Sequence, residues 1–179
     1  MKISLPGIAL LSIISLSCMS AEPGAGGSAD GSEAVSQEEP VTATFRVLDR
    51  GAYAQAARGE NLDAREPFVE VATSSDDYNR LWNSLIGEGA APAVDFAKES
   101  AVFLMLGIRS SGGHGIEPVA AEIDGSTAVV RARRISPAKG DMTTQAITAP
   151  YLVIAVAKPQ LTAVEWREPT GEVVVEHRR

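Results

Sequence analysis

Few side chains in this sequence could do chemistry, and they are scattered. Ser111 and His114, three residues apart, are the best pairing of a hydroxyl nucleophile with a base. A histidine that draws off the hydroxyl proton would activate such a serine. Neighbours this close within a turn rarely aim at one another, however, and no Gly-x-Ser-x-Gly elbow surrounds Ser111. The only other histidine is His177, far along the chain, and no cysteine beyond position 18 supplies a soft ligand for zinc. The carboxylates mark no recognisable catalytic pair, and no phosphate-cradling glycine loop ending in lysine occurs. The expectation is a chain with no catalytic residues, no metal and no cofactor.

Cys18 is the lone cysteine, and its position is informative. Lys2 precedes an uncharged apolar segment, Ile3 to Leu16, the layout of an export signal. That segment is shorter than the roughly 20 apolar residues a membrane-spanning helix requires. Ser15-Leu16-Ser17-Cys18 resembles the lipobox of bacterial lipoprotein signals, in which the cysteine sulfur receives diacylglycerol and its amine becomes the new N-terminus. Ser17 supplies the small residue before the cysteine, whereas Ser15 stands where leucine is usual. Residues 1–17 are therefore expected to be the signal peptide and Cys18 the site of lipidation. The alternative is ordinary cleavage near Ser20 or Ala21, giving a secreted or periplasmic protein. Residues 18–40 consist mainly of Ala, Gly, Ser, Glu, Asp and Pro, too poor in bulky apolar groups to build a core. The composition predicts a disordered tether spanning on the order of 25 Å root-mean-square.

Residues 41–179 suffice for one hydrophobic core. The whole chain carries a net charge of −7. With no basic stripe interleaved with aromatics, nucleic acid is not an expected partner. An acidic domain gains nothing from anionic lipid, so membrane attachment would rest on the acyl chains of Cys18.

The pattern of this domain predicts about seven strands and one helix, an α+β fold with a mostly antiparallel sheet. Thr42–Leu48 alternates and reads as a first strand, followed by a long loop from Asp49 to Pro67. Phe68–Thr73 is a short strand. Ser74 is placed to cap a helix over residues 75–86, with acids in its first turn and Tyr78, Leu81, Trp82 and Leu85 on one face. Gly87 and Gly89 end it. Ser100–Ile108 is a nearly unbroken apolar run suited to a central strand covered on both faces. Val119–Ile123 and Thr127–Arg133 flank Asp124-Gly125 as a hairpin. In its second arm Val130 faces the dry side, while Arg131 and Arg133 (with Arg134 next) form a solvated face or a grip for an acidic partner. Pro150–Ala157 is another strand. Thr162–Arg167 and Glu172–His177 form a second hairpin about Glu168-Pro169-Thr170-Gly171. Trp82 is expected in the core, and Trp166 either in the core or in an exposed patch.

Four stretches of this domain, spanning about residues 45 to 160, resemble the C-terminal domain of the PrcB family, named for a lipoprotein subunit of a bacterial secreted protease complex. They are Asp77-Tyr78 through Leu81-Trp82; Val94-Asp95-Phe96; Leu106-Gly107 with Ser111-Gly112-Gly113-His114-Gly115-Ile116-Glu117; and Pro137-Ala138-Lys139-Gly140-Asp141 with Gln145-Ala146 and Thr148-Ala149-Pro150-Tyr151. The chain departs from the family pattern at His114, where an aromatic is common, and at Pro118, which interrupts the following strand.

The resemblance implies a protein partner, an exported protease or another envelope protein that the domain docks or stabilises. Together with the expected anchor, the tether and the lack of catalytic groups, the expectation is a surface-tethered, non-catalytic lipoprotein of the cell envelope, held in the outer membrane if the cell has one. Gly112-Gly113 permits a tight reversal or a close approach by another chain. Arg109, Gly112, Gly113, His114 and Ile116 are thus the candidate partner-binding loop. The alternatives are a protease inhibitor that inserts loop 109–116 into an active-site cleft, and a hydrolase using Ser111 and His114.

Overall fold

The computed structural model describes residues 40–52, 65–87 and 89–178. Cys18, the signal segment and nearly all of the tether lie outside these residues, as does most of the loop expected after Asp49. Nine strands form among the described residues: β1 (Val41–Thr42), β2 (Phe45–Gly51), β3 (Phe68–Ala72), β4 (Ser100–Met105), β5 (Gly115–Asp124), β6 (Thr127–Ile135), β7 (Tyr151–Val156), β8 (Ala163–Arg167) and β9 (Val173–Arg178). They make two sheets, ordered β1-β5-β6-β8-β9 and β2-β7-β4-β3. The expected α+β class with mostly antiparallel pairing holds. Only β6 and β8 run parallel, because the chain visits the other sheet as β7 between them.

The period of two along β4 explains the layering. Val102, Leu104 and then Leu106 point into a core shared with Val130, Val164 and Trp166 of the five-stranded sheet. Ala101 and Phe103 point the other way, onto the helix layer. A strand buried on both faces needs no polar positions, which is why this run reads as continuous apolar sequence.

Helix α1 (Ser75–Leu81) begins where the sequence places it. Ser74 Oγ accepts the Asp77 amide at 3.2 Å, and Asp76 and Asp77 occupy the first turn. It continues as a π-helical turn, Trp82–Ile86, closed by Gly87 at φ +75°. The wider turn moves the apolar face along by one position, so Ile86 is fully buried and Leu85 only half-buried. Tyr78 lies between the rings of Trp82, Phe96 and Phe103, at centroid distances of 5.9, 5.7 and 5.8 Å.

Three expectations need correcting. The strand expected at Thr42–Leu48 divides: β1 pairs with β5 in one sheet and β2 with β7 in the other, so Ala43-Thr44 carries the chain across the sandwich. The second part runs on through Asp49 to Gly51, so the loop begins later. In the β5–β6 hairpin Asp124 still pairs with Thr127, leaving Gly125-Ser126 as the loop with Gly125 at φ +57°. Pro118 does not interrupt β5; a bulge between Pro118 and Ala120 accommodates it.

The strands also give the domain two poles. At the entry pole, Val41 pairs with Ile123 beside the Gly125 turn, and Arg178 pairs with Ala163 nearby. At the far pole lie Gly115 opposite Ile135, and Gly51 opposite Tyr151. From Ile123 to Gly115 the strand covers roughly 25 Å at about 3.3 Å per residue.

Candidate functional site

The candidate loop sits at the far pole, between β4 and β5. It is clamped by the segment running from β6 to β7. Arg109 and Thr148 exchange backbone hydrogen bonds, the Arg109 amide donating at 2.8 Å and the Thr148 amide at 2.9 Å. Thr148 Oγ1 donates to the Ser111 carbonyl at 2.8 Å, and the Gly112 amide donates to the Thr144 carbonyl at 3.0 Å. Gly113, at φ +83°, packs so that a Cβ there would meet Pro137 Cγ at 3.0 Å. Glycine suits the backbone conformation at Gly113, whereas a Cβ at Gly112 would displace the Thr144 hydroxyl.

The five candidate residues therefore have different surroundings. Gly113 is exposed and His114 half-buried, while Gly112 and Ile116 are buried, Ile116 within the core between the sheets. Arg109 is turned back on its own chain. Its Nη1 donates to the Arg65 and Ile108 carbonyls at 3.0 and 2.9 Å, and its Nη2 to the Leu106 carbonyl at 2.6 Å.

Ser111 and His114 do approach one another, contrary to the expectation for neighbours in a turn: Ser111 Oγ lies 3.4 Å from His114 Nε2. The opposite ring nitrogen, Nδ1, is buried without a hydrogen-bond partner among the described residues. A catalytic histidine is ordinarily oriented through that second nitrogen by a carboxylate or carbonyl. His177 stands elsewhere, on β9 in register with Val164, with Nε2 3.7 Å from Glu70 of β3. Among the described residues no three His, Cys, Asp or Glu side chains gather as metal ligands.

The arginine face of β6 is satisfied internally. Arg131 donates to Glu122 at 2.8 and 3.2 Å, Arg133 to Glu117 at 2.9 Å, and Arg134 pairs with Glu168. The hydrogen bond from Arg131, helped by the nearby positive charges of Arg131 and Arg167, holds the Glu122 carboxyl below its ordinary range. Trp82 and Trp166 are both core residues. Trp166 is fully buried, and its indole N–H donates to the Ala132 carbonyl at 2.8 Å.

Sequence reasoning missed the other feature of this pole. The segment between Ile135 and Thr148 is an arm of irregular structure, and on it Met142 is fully exposed, Ile147 67% and Ile135 42%. The signal was present as isolated aliphatics in a stretch of Pro, Gly, Thr and Lys. At the entry pole, by contrast, an open groove of about 610 Å³ is lined by Val41–Thr44, Ile123 and Lys158, among others. No described helix is long and apolar enough to cross a membrane.

The PrcB C-terminal family model matches residues 100–157. The match runs from β4 through β7 and so takes in the glycine turn, the β5–β6 hairpin and the whole arm; two of the four stretches read from the sequence fall inside it. No curated protein and no solved structure matches the chain.

Proposed function

We propose that this protein is a surface-tethered, non-catalytic docking module of the cell envelope, anchored through lipid on Cys18 and offering its far pole to an exported protease or another envelope protein. The observation that carries the reading is the polarity of the domain: the chain enters at Val41, and the glycine turn with its clamping arm lies at the other end of the β5–β6 hairpin. A flexible tether lifts the whole domain clear of the headgroups without fixing its orientation, which leaves the far pole within a partner's reach. The PrcB C-terminal match, which takes in the glycine turn and the arm along with both ends of the β5–β6 hairpin, supports membership in a protein assembly.

The inhibitor reading is less well supported. Gly112 and Ile116 are buried and the Arg109 guanidinium is engaged with three carbonyls of its own chain, which leaves Gly113 as the exposed part of the turn's centre. The hydrolase reading has the Ser111–His114 approach in its favour but lacks a group on His114 Nδ1. If it is wrong, Ser111→Ala and His114→Ala leave any measured turnover unchanged.

Two measurements test the main reading. Mass spectrometry of the mature protein should find an acylated N-terminal Cys18; an unmodified N-terminus downstream of it removes the anchor. Affinity isolation of the full chain from envelope extract should enrich a specific protein. Recovery of the chain alone, at the level of a control lipoprotein, counts against docking.

A further inference from the structure

The two methionines of the described residues stand in opposite surroundings. Met105 ends β4, paired with Phe68 of β3 on one side and Tyr151 of β7 on the other. It is 1% exposed and lies in a small apolar cluster with Ala149, Phe68, Leu85 and Tyr151. Met142, on the arm between β6 and β7, is fully exposed. The contacts that brace this arm use other residues. Pro137 packs on Gly113, the Thr144 carbonyl accepts from Gly112, and Arg109 and Thr148 are bridged through their backbones. Asp141 Oδ2 accepts the Ala138 amide at 2.7 Å, and the Asp141 amide returns a bond to the Ala138 carbonyl. The other large apolar side chains in solvent, Val41, Val47, Val119, Ile135, Ile147 and Val173, are hydrocarbons without an oxidisable atom. Among the described residues, exposure at Met142 is thus of a different chemical kind.

We propose that Met142 is a site of reversible oxidation, taking one oxygen atom from a hydroperoxide and returning it through a dithiol-dependent methionine sulfoxide reductase. The inference goes beyond the docking reading and does not depend on it. In the forward step a sulfur lone pair attacks the peroxide: an S–O bond forms, the O–O bond breaks and water leaves. The sulfur is oxidised by two electrons and the peroxide reduced by two. In the return step two reductase thiols supply two electrons, become a disulfide, and the oxygen departs as water. Access to the sulfur decides where the forward step occurs, and Met142 has it while Met105 does not. The two products also differ in what they do to the fold. A sulfoxide at Met105 would place a polar oxygen among apolar neighbours in the interior, which opposes folding. At Met142 the oxygen is solvated and the brace at Gly112, Gly113 and Arg109 is untouched. A reductase must enclose the oxidised side chain, and an irregular arm that holds it wholly in solvent presents it in that form.

The test treats the purified full-length protein with dilute hydrogen peroxide and follows each methionine by peptide mapping. Oxygen should be added at Met142 on the order of tenfold or more faster than at Met105. The protein oxidised at Met142 should keep its thermal midpoint, and the two epimer-specific sulfoxide reductases, supplied together with a dithiol, should restore the thioether. Met142→Leu should remove the fast reaction and likewise keep the midpoint. In cells challenged with hydrogen peroxide, the sulfoxide should accumulate at 142 and not at 105. Equal rates at the two positions overturn the proposal. So does a midpoint that falls when Met142 alone is oxidised, a sulfoxide that the reductases leave in place, or its absence from position 142 in the challenged cells.

Discussion

Thr144 sits over Gly112 with its backbone carbonyl accepting the glycine amide at 3.0 Å and its hydroxyl filling the space a Cβ would need. The contact couples the glycine turn to the arm. Gly112→Ala should therefore destabilise the domain by about 1–3 kcal/mol through overpacking. Thr144→Ala removes the offending hydroxyl and leaves a Cβ at 3.6 Å, an ordinary contact. The double variant should recover most of the loss, and denaturant midpoints of the four proteins measure the coupling. Strictly additive effects would refute the arrangement.

Tyr78 gives a prediction at high pH. It is 3% exposed, and its hydroxyl has no hydrogen-bond partner among the described residues. Burial pushes its pKa up to about 12. The unfolded chain releases that proton near pH 10, so stability is complete below pH 10 and falls as pH rises toward 12. Tyr78→Phe should flatten this alkaline loss. At neutral pH it should be neutral or stabilising by up to about 1 kcal/mol, because a buried hydroxyl without a partner carries an uncompensated desolvation cost.

On the acid side two carboxylates matter. The hydrogen bond from Arg46 holds Glu99 below its ordinary range, as the bond from Arg131 does for Glu122. A lowered folded pKa contributes stability above the unfolded carboxylate value of 4.5, and that contribution is lost as pH falls through the folded value. Glu99→Gln and Glu122→Gln should each lower the thermal midpoint at pH 7 and leave it nearly unchanged at the acid end. Equal losses at both ends would show that the pairs contribute through packing alone.

Trp166 joins β8 to the core by apolar burial and by one hydrogen bond, its indole N–H to the Ala132 carbonyl. Trp166→Phe leaves that carbonyl without its donor and a void beside it, at a cost of about 2–4 kcal/mol. The urea midpoint should fall with the slope unchanged. A changed slope would point instead to altered compactness.

The sequence made some of this legible for definite reasons. A run such as Ala101 to Leu106 has no polar side to show, so a strand covered on both faces is its natural reading. Ser74 announces the helix because its hydroxyl and the two acids after it answer the needs of free amides. The crossing at Ala43-Thr44 left no trace, since both halves of Thr42–Leu48 alternate and only the partners, Ile123 for β1 and Val156 for β2, separate them. Arg109 reads as part of a partner-binding loop because the sequence does not show its side chain folding back on the carbonyls of Ile108, Leu106 and the distant Arg65. Met142 was passed over for the opposite reason. A single exposed aliphatic is ordinary in sequence, and only the bracing of its arm by Gly112 and Arg109 makes it unusual.

The two-residue β1 has a mechanical consequence. A body held through Val41 and loaded from the opposite end is stretched parallel to its strands. The short ladder of Val41 and Thr42 against Ile123 and Glu122 would give way first, lengthening the leash without unfolding the body. Strain would then fall on β2, whose rungs to β7 from Phe45 to Gly51 lie in shear and must break together. Pulled from Val41, the domain thus has a compliant first stage and a stiff second one, which force spectroscopy would resolve as two separate extensions.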